Sequence, residues 1–393
     1  MASQTVNEGA PARGTRPRNR RALIVAAATD LFYRVGYAGV SMSDIAAAVN
    51  VAPSALYRHF ASKSELFVAA ARDTLAPTLD YLQHCADVPR PQLLLDLARL
   101  LVARREVGVL WQREARLLSA EIHQEVRADL RRVAALLADR IGRDRPQLPA
   151  ADADLLAWSA LAAMSSVSFH QLQLPGARFE SVLADVLDRI LAADLPDPPA
   201  ADGEPPPGGL QPRTRRAHVL REAARLFAAH GYAAVTVDDI GEAVGIAGPS
   251  LYNHFASKQE LLMATLDRCN EWLWLELETA LAAAVDEADA LHRLLDSYVR
   301  LTTRHGDVVD VLISDIRELA EPDQHRARQS QHDYVTEWVE LLRAVRPDLD
   351  AVAARIQVQA ALMVVNDGAQ TPHLARRPGF PAAVQAVVAG LLR

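Results

Sequence analysis

Lysine is almost missing from this chain. Of 42 basic side chains in 393 residues, only Lys63 and Lys258 are lysine, and the other 40 are arginine. Cysteine is as scarce. Cys85 and Cys269 are too few for a disulfide framework and suit a reducing compartment, as inert buried thiols. Aromatic residues make up 5% of the chain, which deprives strands of their preferred side chains. Also missing are a glycine-rich phosphate loop, a nucleophile elbow and any zinc-finger spacing. Enzyme chemistry has no residues to stand on, and no cofactor or metal is implied. His325 and His332, seven apart on one helix face, are read as solvated or pocket-lining groups rather than metal ligands. Residues 1–20 hold no apolar segment, so no signal peptide is expected. The uncharged run 155–177 contains four Ser, two Gln, His170 and Pro175. It reads as a buried helix, not a membrane span. No membrane partner is expected, and a cytoplasmic location is.

What is abundant points to helices. Half of the residues are apolar, and Ala, Leu and Arg dominate. The expected fold class is all-α. The two lysines stand at one position of an internal repeat with an offset of 195 (258 − 63). Tyr57-Arg58-His59-Phe60-Ala61-Ser62-Lys63 returns as Tyr252-Asn253-His254-Phe255-Ala256-Ser257-Lys258. From Arg20/Arg215 to Leu66/Leu261 the alignment has no gap, and 24 of 47 pairs are identical. A repeat of this kind sets the architecture: the same small device occurs twice. A Pro- and Gly-rich segment, 194–212, reads as a semi-rigid linker between the halves. The reading divides the chain into a disordered basic arm (1–18), a first head (19–75), a first helical body (76–193), the linker, a second head (213–268) and a second body (269–393).

Charge follows the repeat. Net charge is −7 overall, which argues against a general coat for nucleic acid. Residues 1–75 hold nine basic and five acidic side chains, a net of +4, and residues 213–268 hold seven and six, a net of +1. Arg13, Arg16, Arg18, Arg20 and Arg21 form a basic arm ahead of the first head, and Arg213, Arg215 and Arg216 precede the second.

Within each repeat the signals are those of short helices. The first helical pattern, 22–35, stops at Gly36. Ser41-x-x-Asp44 caps a second helix running to about Val49. Asn50, or Gly245 in the second copy, turns the chain with a left-handed backbone. Pro53 or Pro249 opens the next short helix, and Ser62-x-x-Glu65 or Ser257-x-x-Glu260 caps a long one. Helix, tight turn and short helix make a helix-turn-helix. Ile45, Val49, Val51, Leu56 and Phe60, with Ile240, Val244, Ile246, Leu251 and Phe255, would hold the pairs together. Ser54, Ala55, Tyr57, Arg58 and His59 then face outward, as do Pro249, Ser250, Tyr252, Asn253 and His254. Hydroxyl, imidazole and guanidinium groups on one short helix suit a DNA major groove. Lys63 and Lys258 fall in the first turn of the next helix, where a phosphate could meet both the ammonium and free backbone N–H groups. The alternative is that Tyr57 and Phe60 are both core aromatics and the repeat merely looks like a reader.

The Gly-Tyr stop, the [ST]-x-x-Asp-Ile helix and Leu-Tyr-x-His-Phe-x-Ser-Lys-x-Glu-Leu resemble the TetR family of bacterial repressors over about 50 residues of each half. Asn50 departs from the family's usual glycine. A larger departure is that one chain holds two such units, as in tandem TetR-like regulators of actinobacteria, some linked to lipid and sterol uptake. The resemblance implies that Ser41, Tyr57, His59 and Lys63, with Thr236, Tyr252, His254 and Lys258, touch phosphates. It implies that Pro53, Ser54, Ala55 and Arg58, with Gly248, Pro249, Ser250 and Asn253, face bases. Arg18, Arg20, Arg21, Arg215 and Arg216 would add DNA contacts from the arms.

Each body offers candidates for an apolar pocket inside a helical bundle. They are Trp111, Trp158, Met164, Phe169 and His170 in the first, and Trp272, Trp274, His305, Tyr334, Trp338, Met363 and Asn366 in the second. Ordinary core packing is the competing reading for each. The uncharged stretch 155–174 and the mostly apolar stretch 352–367, whose charges are Arg355 and Asp367 alone, suit burial against each other, which would make the chain an intramolecular pseudo-dimer, with further self-association left open. The expectation is a DNA-binding regulator, a repressor released from an asymmetric operator by a small apolar, lipid-derived effector. The alternative is a ligand-binding or protein-interaction scaffold in which the first head alone binds DNA.

Overall fold

The computed structural model describes residues 19–114, 118–198 and 213–393. The arm 1–18, with Arg18, and linker residues 199–212 lie outside them. No strand occurs among the described residues. The helices of the first half are α1 (Arg20–Val35), α2 (Met42–Ala48), α3 (Pro53–Leu56), α4 (Lys63–His84), α5 (Arg90–Ala103), α6 (Glu106–Gly108), a π-helical turn over Val109–Glu114, α7 (Ala120–Asp144), α8 (Ala150–Ser166) and α9 (Gly176–Ala192). The second half continues with α10 (Arg215–His230), α11 (Val237–Ala243), a 3₁₀ helix over Gly248–Asn253, α12 (Lys258–Ala283), α13 (Glu287–Ser314), a 3₁₀ turn over Ile316–Glu318, α14 (Glu321–Val345), α15 (Ala351–Gln370), α16 (Pro372–Ala375) and α17 (Phe380–Leu391).

Local chemistry fixes the short elements. The Ser41 and Thr236 hydroxyls each accept the backbone N–H three residues on, at 3.1 Å, and the Asp44 and Asp239 carboxylates accept the cap residue's own N–H at 2.8 and 2.7 Å. These are closed capping boxes. The box opening α4 is looser than its sequence suggests. Ser62 caps the Glu65 N–H, but the Glu65 carboxylate reaches one residue further back, to the Ala61 N–H at 2.6 Å. The turn after α2 needs a left-handed residue, and Asn50 takes φ +54° where the second copy has Gly245 at +68°. Asparagine tolerates this region better than most side chains, so the departure from glycine leaves the turn intact.

Two compact units result. One runs to Ala86 and resumes over Ala103–Leu136. In it α1 packs on α2 and α4, around the fully buried Phe32, Ile45, Leu56, Phe60, Leu66 and Phe67. The other comprises Asp87–Val102 and Leu137–Arg393, so it contains helices from both halves of the sequence. There α10, α12, α13 and α14 pack together, and α8 and α9 of the first half form a bundle with α15 and α17 of the second. α8 is buried nearly all round, from Ala153 to Met164, and so is most of α15. That accounts for the uncharged run of α8 from Leu155 on, whereas α15 keeps a half-exposed stripe of Val352, Arg355, Gln359, Met363 and Asp367.

Polar contacts mark the ends of this bundle. His373 Nε2 lies 3.0 Å from Asp154 Oδ2, Arg377 pairs with Asp152 and donates to the Ala151 carbonyl at 2.8 Å, and Arg178 pairs with Asp350. The exposed pairs of Asp154 and Asp350 contribute about 0–1 kcal/mol each, whereas each fully buried Leu, Val or Phe contributes about 1.5–3 kcal/mol. Apolar burial holds the bundle, and the ion pairs fix its register. Gly368 of α15 is part of that fit, since a Cβ there would stand 3.0 Å from Cζ of Phe380 on α17. Gly368→Leu is expected to overpack this contact and destabilise the second unit by about 1–3 kcal/mol. Urea unfolding monitored by circular dichroism would register the loss. An unchanged midpoint would mean that the helices part freely there.

Candidate nucleic-acid interface

The short helix after each turn splits its residues by burial. Leu56 and Phe60 are 0% and 1% exposed, whereas Tyr57 is 55% exposed. In the second copy Leu251 and Phe255 are both at 1%, and Tyr252 is at 54%. Phe60 is thus a core aromatic and Tyr57 is not, which removes the reading that made both of them core. Pro53, Ser54, Arg58 and His59 are exposed alongside Tyr57, and Ala55 is half-buried. Pro249 and Asn253 are exposed beside Tyr252, with Ser250 and His254 half-buried.

Gly248 breaks the correspondence. Its partner under the repeat, Pro53, is exposed, but Gly248 is buried and lies beneath the side chain of Asp238. It is not among the outward-facing residues, contrary to what the alignment with Pro53 implied. The second short element is also a 3₁₀ helix that begins at Gly248 and carries Pro249 one place inside, whereas Pro53 is the first residue of α3. Pro249 therefore does not open it.

The lysines are turned inward. Lys63 Nζ donates to the carbonyls of Tyr37 and Val40, at 2.7 and 2.9 Å, and sits 4.2 Å from the centre of the Tyr37 ring. Lys258 Nζ donates to the Tyr232 carbonyl and lies 4.0 Å from that tyrosine's ring. Partial burial holds both ammonium groups below their ordinary pKa. Each lysine thus ties the loop between the first two helices of its head to the start of the long helix. An ammonium with three diverging N–H groups can hold two carbonyls and still offer a third donor. A planar guanidinium cannot reproduce that geometry, a physical reason for lysine in a chain that otherwise uses arginine. Tyr37 and Tyr232, the tyrosines of the Gly-Tyr stop, were given no role from the sequence, although both are identical members of the repeat.

The arginines near each head also pack. Arg21 lies over the Phe60 ring at 4.6 Å and Arg216 over Phe255 at 4.4 Å, while Arg215 Nη1 donates to the Val244 carbonyl at 3.0 Å. Arg20 is half-buried at the start of α1. The Ser41 and Thr236 hydroxyls donate to their box carboxylates at 2.6 and 2.7 Å. These bonds hold Asp44 and Asp239 below the usual carboxylate range.

Of the pocket candidates, Trp274, Tyr334, Trp338 and Asn366 come together. The Tyr298 hydroxyl, which the sequence did not flag, donates to Asn366 Oδ1 at 2.8 Å. Trp338 stands edge-on to Tyr298 and Tyr334, at 5.9 and 6.4 Å between centroids, and Trp274 is 6.1 Å from Tyr334. Burial pushes both tyrosine hydroxyls far above their ordinary pKa, so they are neutral donors at any physiological pH. Trp272 is apart from this group, against His305 at 4.5 Å with the rings tilted 55°, and Met363 is half-buried on α15. In the first body Trp158 and Met164 are spent in the α8 bundle, Trp158 against His373 at 5.4 Å. Phe169 and His170 are half-buried just after α8. Trp111 is buried in the first unit, and its indole N–H donates to the Ala71 carbonyl at 3.2 Å.

Comparison with known proteins agrees with the geometry. The profile of "Bacterial regulatory proteins, tetR family" matches residues 24–70 and again 219–265, the two heads. The HTH-type transcriptional repressor KstR2 of Mycolicibacterium smegmatis is 31% identical over 148 residues, which cover 36% of this chain and 72% of that protein. The chain belongs to the tetR family. KstR2 of Mycobacterium tuberculosis is 28% identical over 184 residues, 45% of this chain and 88% of that protein. A solved structure of the ketosteroid transcriptional regulator KstR2 of Mycobacterium tuberculosis aligns at 28% identity, covering 45% of this chain and 91% of its own, with a TM-score of 0.37. These relatives are about half as long as this chain. The protein is a helix-turn-helix DNA-binding regulator of the tetR family that carries the family's DNA-binding module twice. None of its described helices is long and apolar enough to cross a membrane.

The inward lysines yield a two-part test. Lys63→Ala and Lys63→Arg should both lower thermal stability, by about 1 kcal/mol for a partly exposed charged hydrogen bond. If the third N–H also meets a phosphate, Lys63→Ala should weaken binding on all DNA sequences alike and reduce the magnitude of the salt slope by roughly one unit. Lost stability with an unchanged salt slope would assign the lysine to the fold alone.

Proposed function

We propose that the chain is a cytoplasmic repressor in which the two heads, 19–75 and 213–268, read two unlike half-sites of one operator. The observation that carries this reading is the packing of α8 and α9 on α15 and α17 inside one compact unit. Helices from the two halves bury against each other within one chain, as the subunits of a two-fold dimer would, so one chain supplies both readers. Dimers with identical heads read palindromes. Here the outward faces differ: Arg58 stands against Asn253, and Pro53-Ser54-Ala55 against the chain around Pro249-Ser250. Arginine favours the O6 and N7 acceptors of guanine, and asparagine can pair bidentately with adenine.

The effector in this reading is a small apolar, lipid-derived molecule. Two observations support it: the buried group of Tyr298, Tyr334, Trp338 and Asn366, and the sequence similarity to KstR2 of Mycobacterium tuberculosis, a ketosteroid transcriptional regulator. Neutral phenols and an amide in an otherwise apolar interior suit a ligand with one or two carbonyl or hydroxyl groups. Binding would favour an arrangement of the heads that misfits the DNA.

A second reading has one observation in its favour. The second head's net charge of only +1, with Asp238, Asp239 and Glu242 in it, fits a chain whose first head alone binds DNA. Tyr57→Ala and Tyr252→Ala in separate mobility shifts decide between the two. Loss of binding with either variant supports two readers, and indifference to Tyr252→Ala supports one.

Native mass measurement of the operator complex should find one chain per minimal site, and two chains would reject the pseudo-dimer. Saturation mutagenesis of the site should give different base preferences in its two halves. Equal, mirror-related effects, or tighter binding to a perfect palindrome, would contradict the asymmetric reading. A screen of sterol and acyl compounds, with their thioesters, should find one that raises the melting temperature and abolishes the mobility shift. Release by cationic drugs with no response to lipids would overturn the effector class.

A further inference from the structure

The second helix-turn-helix is built more tightly than the first, and two glycines make it so. Gly241 stands where the first head has Ala46. A Cβ on Gly241 would lie 2.8 Å from the Ile246 carbonyl oxygen and 2.9 Å from the Gly248 nitrogen, closer than side-chain carbons come to backbone. Ala46 has that carbon, fully buried, so in the first head the chain after the turn must stand further off. Gly248 is the second member of the pair. A Cβ on it would fall on Oδ1 of Asp238. The first head has Pro53 there, with a ring, and Ser43 in place of Asp238. The substitutions are coupled. Removing the ring at 248 opens the space that a carboxylate from α11 fills, and removing the methyl at 241 lets the recognition element settle under it.

Asp238 is exposed. Among the described residues its carboxylate makes no hydrogen bond or ion pair, unlike Asp239 beside it, which is committed to its capping box. Where the first head presents an apolar proline ring at the start of its recognition helix, the second presents an uncommitted carboxylate over a buried glycine. Such a group cannot be a phosphate contact, because like charges repel. It can accept a hydrogen bond from an exocyclic amino group, N4 of cytosine or N6 of adenine, and it disfavours the keto oxygens of guanine and thymine on the same strand.

We infer that Asp238 is a base-reading residue of the second head, selecting an amino-bearing base at one position of its half-site. The inference rests on the reading that the second head binds DNA. Asp238→Ser, which installs the first head's own residue, tests it by binding selection on an operator randomised in the second half-site. Preference for cytosine or adenine at one position should fall from about tenfold or more, the range of one good base contact, to less than about threefold. Other positions should keep their preferences, and random-sequence DNA should bind somewhat more tightly as repulsion is lifted. A change of the same size on every sequence, specific and random alike, would reduce Asp238 to a repulsive charge and overturn the assignment.

Stability checks the geometry separately. Gly248→Ala should lower the melting temperature in the wild-type background and cost clearly less beside Asp238→Ser. An equal cost in both backgrounds would mean that Asp238 does not occupy the space over Gly248. Tyr252→Ala separates the two ways of failing. If Tyr252→Ala abolishes protection of the second half-site but Asp238→Ser alters no preference, the Asp238 assignment fails alone. If neither substitution affects that half-site, the second head is no reader, and the assignment falls with that reading.

Discussion

Each head depends on an ammonium group turned back on its own backbone. The loop between the first two helices has carbonyls that no helix satisfies; Lys63 gathers two of them, and Lys258 one, at the start of the long helix that leads into the body. Buried backbone acceptors without partners are costly, and a charged donor meets them more strongly than a neutral one. The tyrosine ring stacked on the same nitrogen shields the contact from water. One side chain thus joins the first helix, the capped second helix and the connecting helix. A substitution there would disturb the orientation of the reading surface as well as the local fold. In a chain that has replaced every other lysine by arginine, two lysines at one repeated position mark a geometric requirement, and the charge alone does not explain them.

Around this shared frame the two copies diverge on their outward faces. The caps, the left-handed turn residue, the inward Leu and Phe and the outward Tyr and His are the same or equivalent, while Arg58 against Asn253 and Pro53-Ser54-Ala55 against Gly248-Pro249-Ser250 differ. A homodimer cannot do this, because a change in one head is a change in both. A chain that carries both heads can alter each separately, provided the helices that join the halves remain matched. The burial of α8 and α15, with ion pairs at the bundle ends formed by different residues at each end, fits such a division of labour. The packing of these helices is mainly apolar, and the heads are free to differ.

How much of this could be read from the sequence depended on which residues had to be interpreted. The heads were legible because capping residues, a turn residue with a left-handed backbone and helical spacing of Leu and Phe each have one physical meaning. Gly248 was misplaced for an equally physical reason. The repeat aligns it with Pro53, and alignment transfers a position but cannot transfer exposure when the residue has no side chain to present. Only the distances around Gly241 and Gly248 reveal that the backbone has moved in beneath Asp238. The lysines were recognised as special from composition, but their target was not, since a carbonyl acceptor leaves no trace in the sequence. Tyr37 and Tyr232 were visible as part of the Gly-Tyr stop, identical in both copies, but nothing in the sequence tied their rings to the lysines.

The bodies were the least legible part, and the reason lies in helical periodicity. A buried aromatic at helical spacing identifies the inner face of its helix, but it does not say which neighbour shares that face. Trp158 and Trp338 look alike in the sequence. Yet one is consumed in the bundle between halves and the other stands among polar groups inside the second body. What separates them is the company they keep: Tyr298 and Asn366 bring a hydroxyl and an amide into an interior where apolar side chains would pack as well. Burying those groups is a cost that hydrogen bonding to each other only offsets. A core that needed nothing but stability would have filled the same volume with leucine. The polar pair therefore sets this part of the second body apart from packing by leucine alone, and the effector reading proposed above rests on that distinction more than on the number of aromatics.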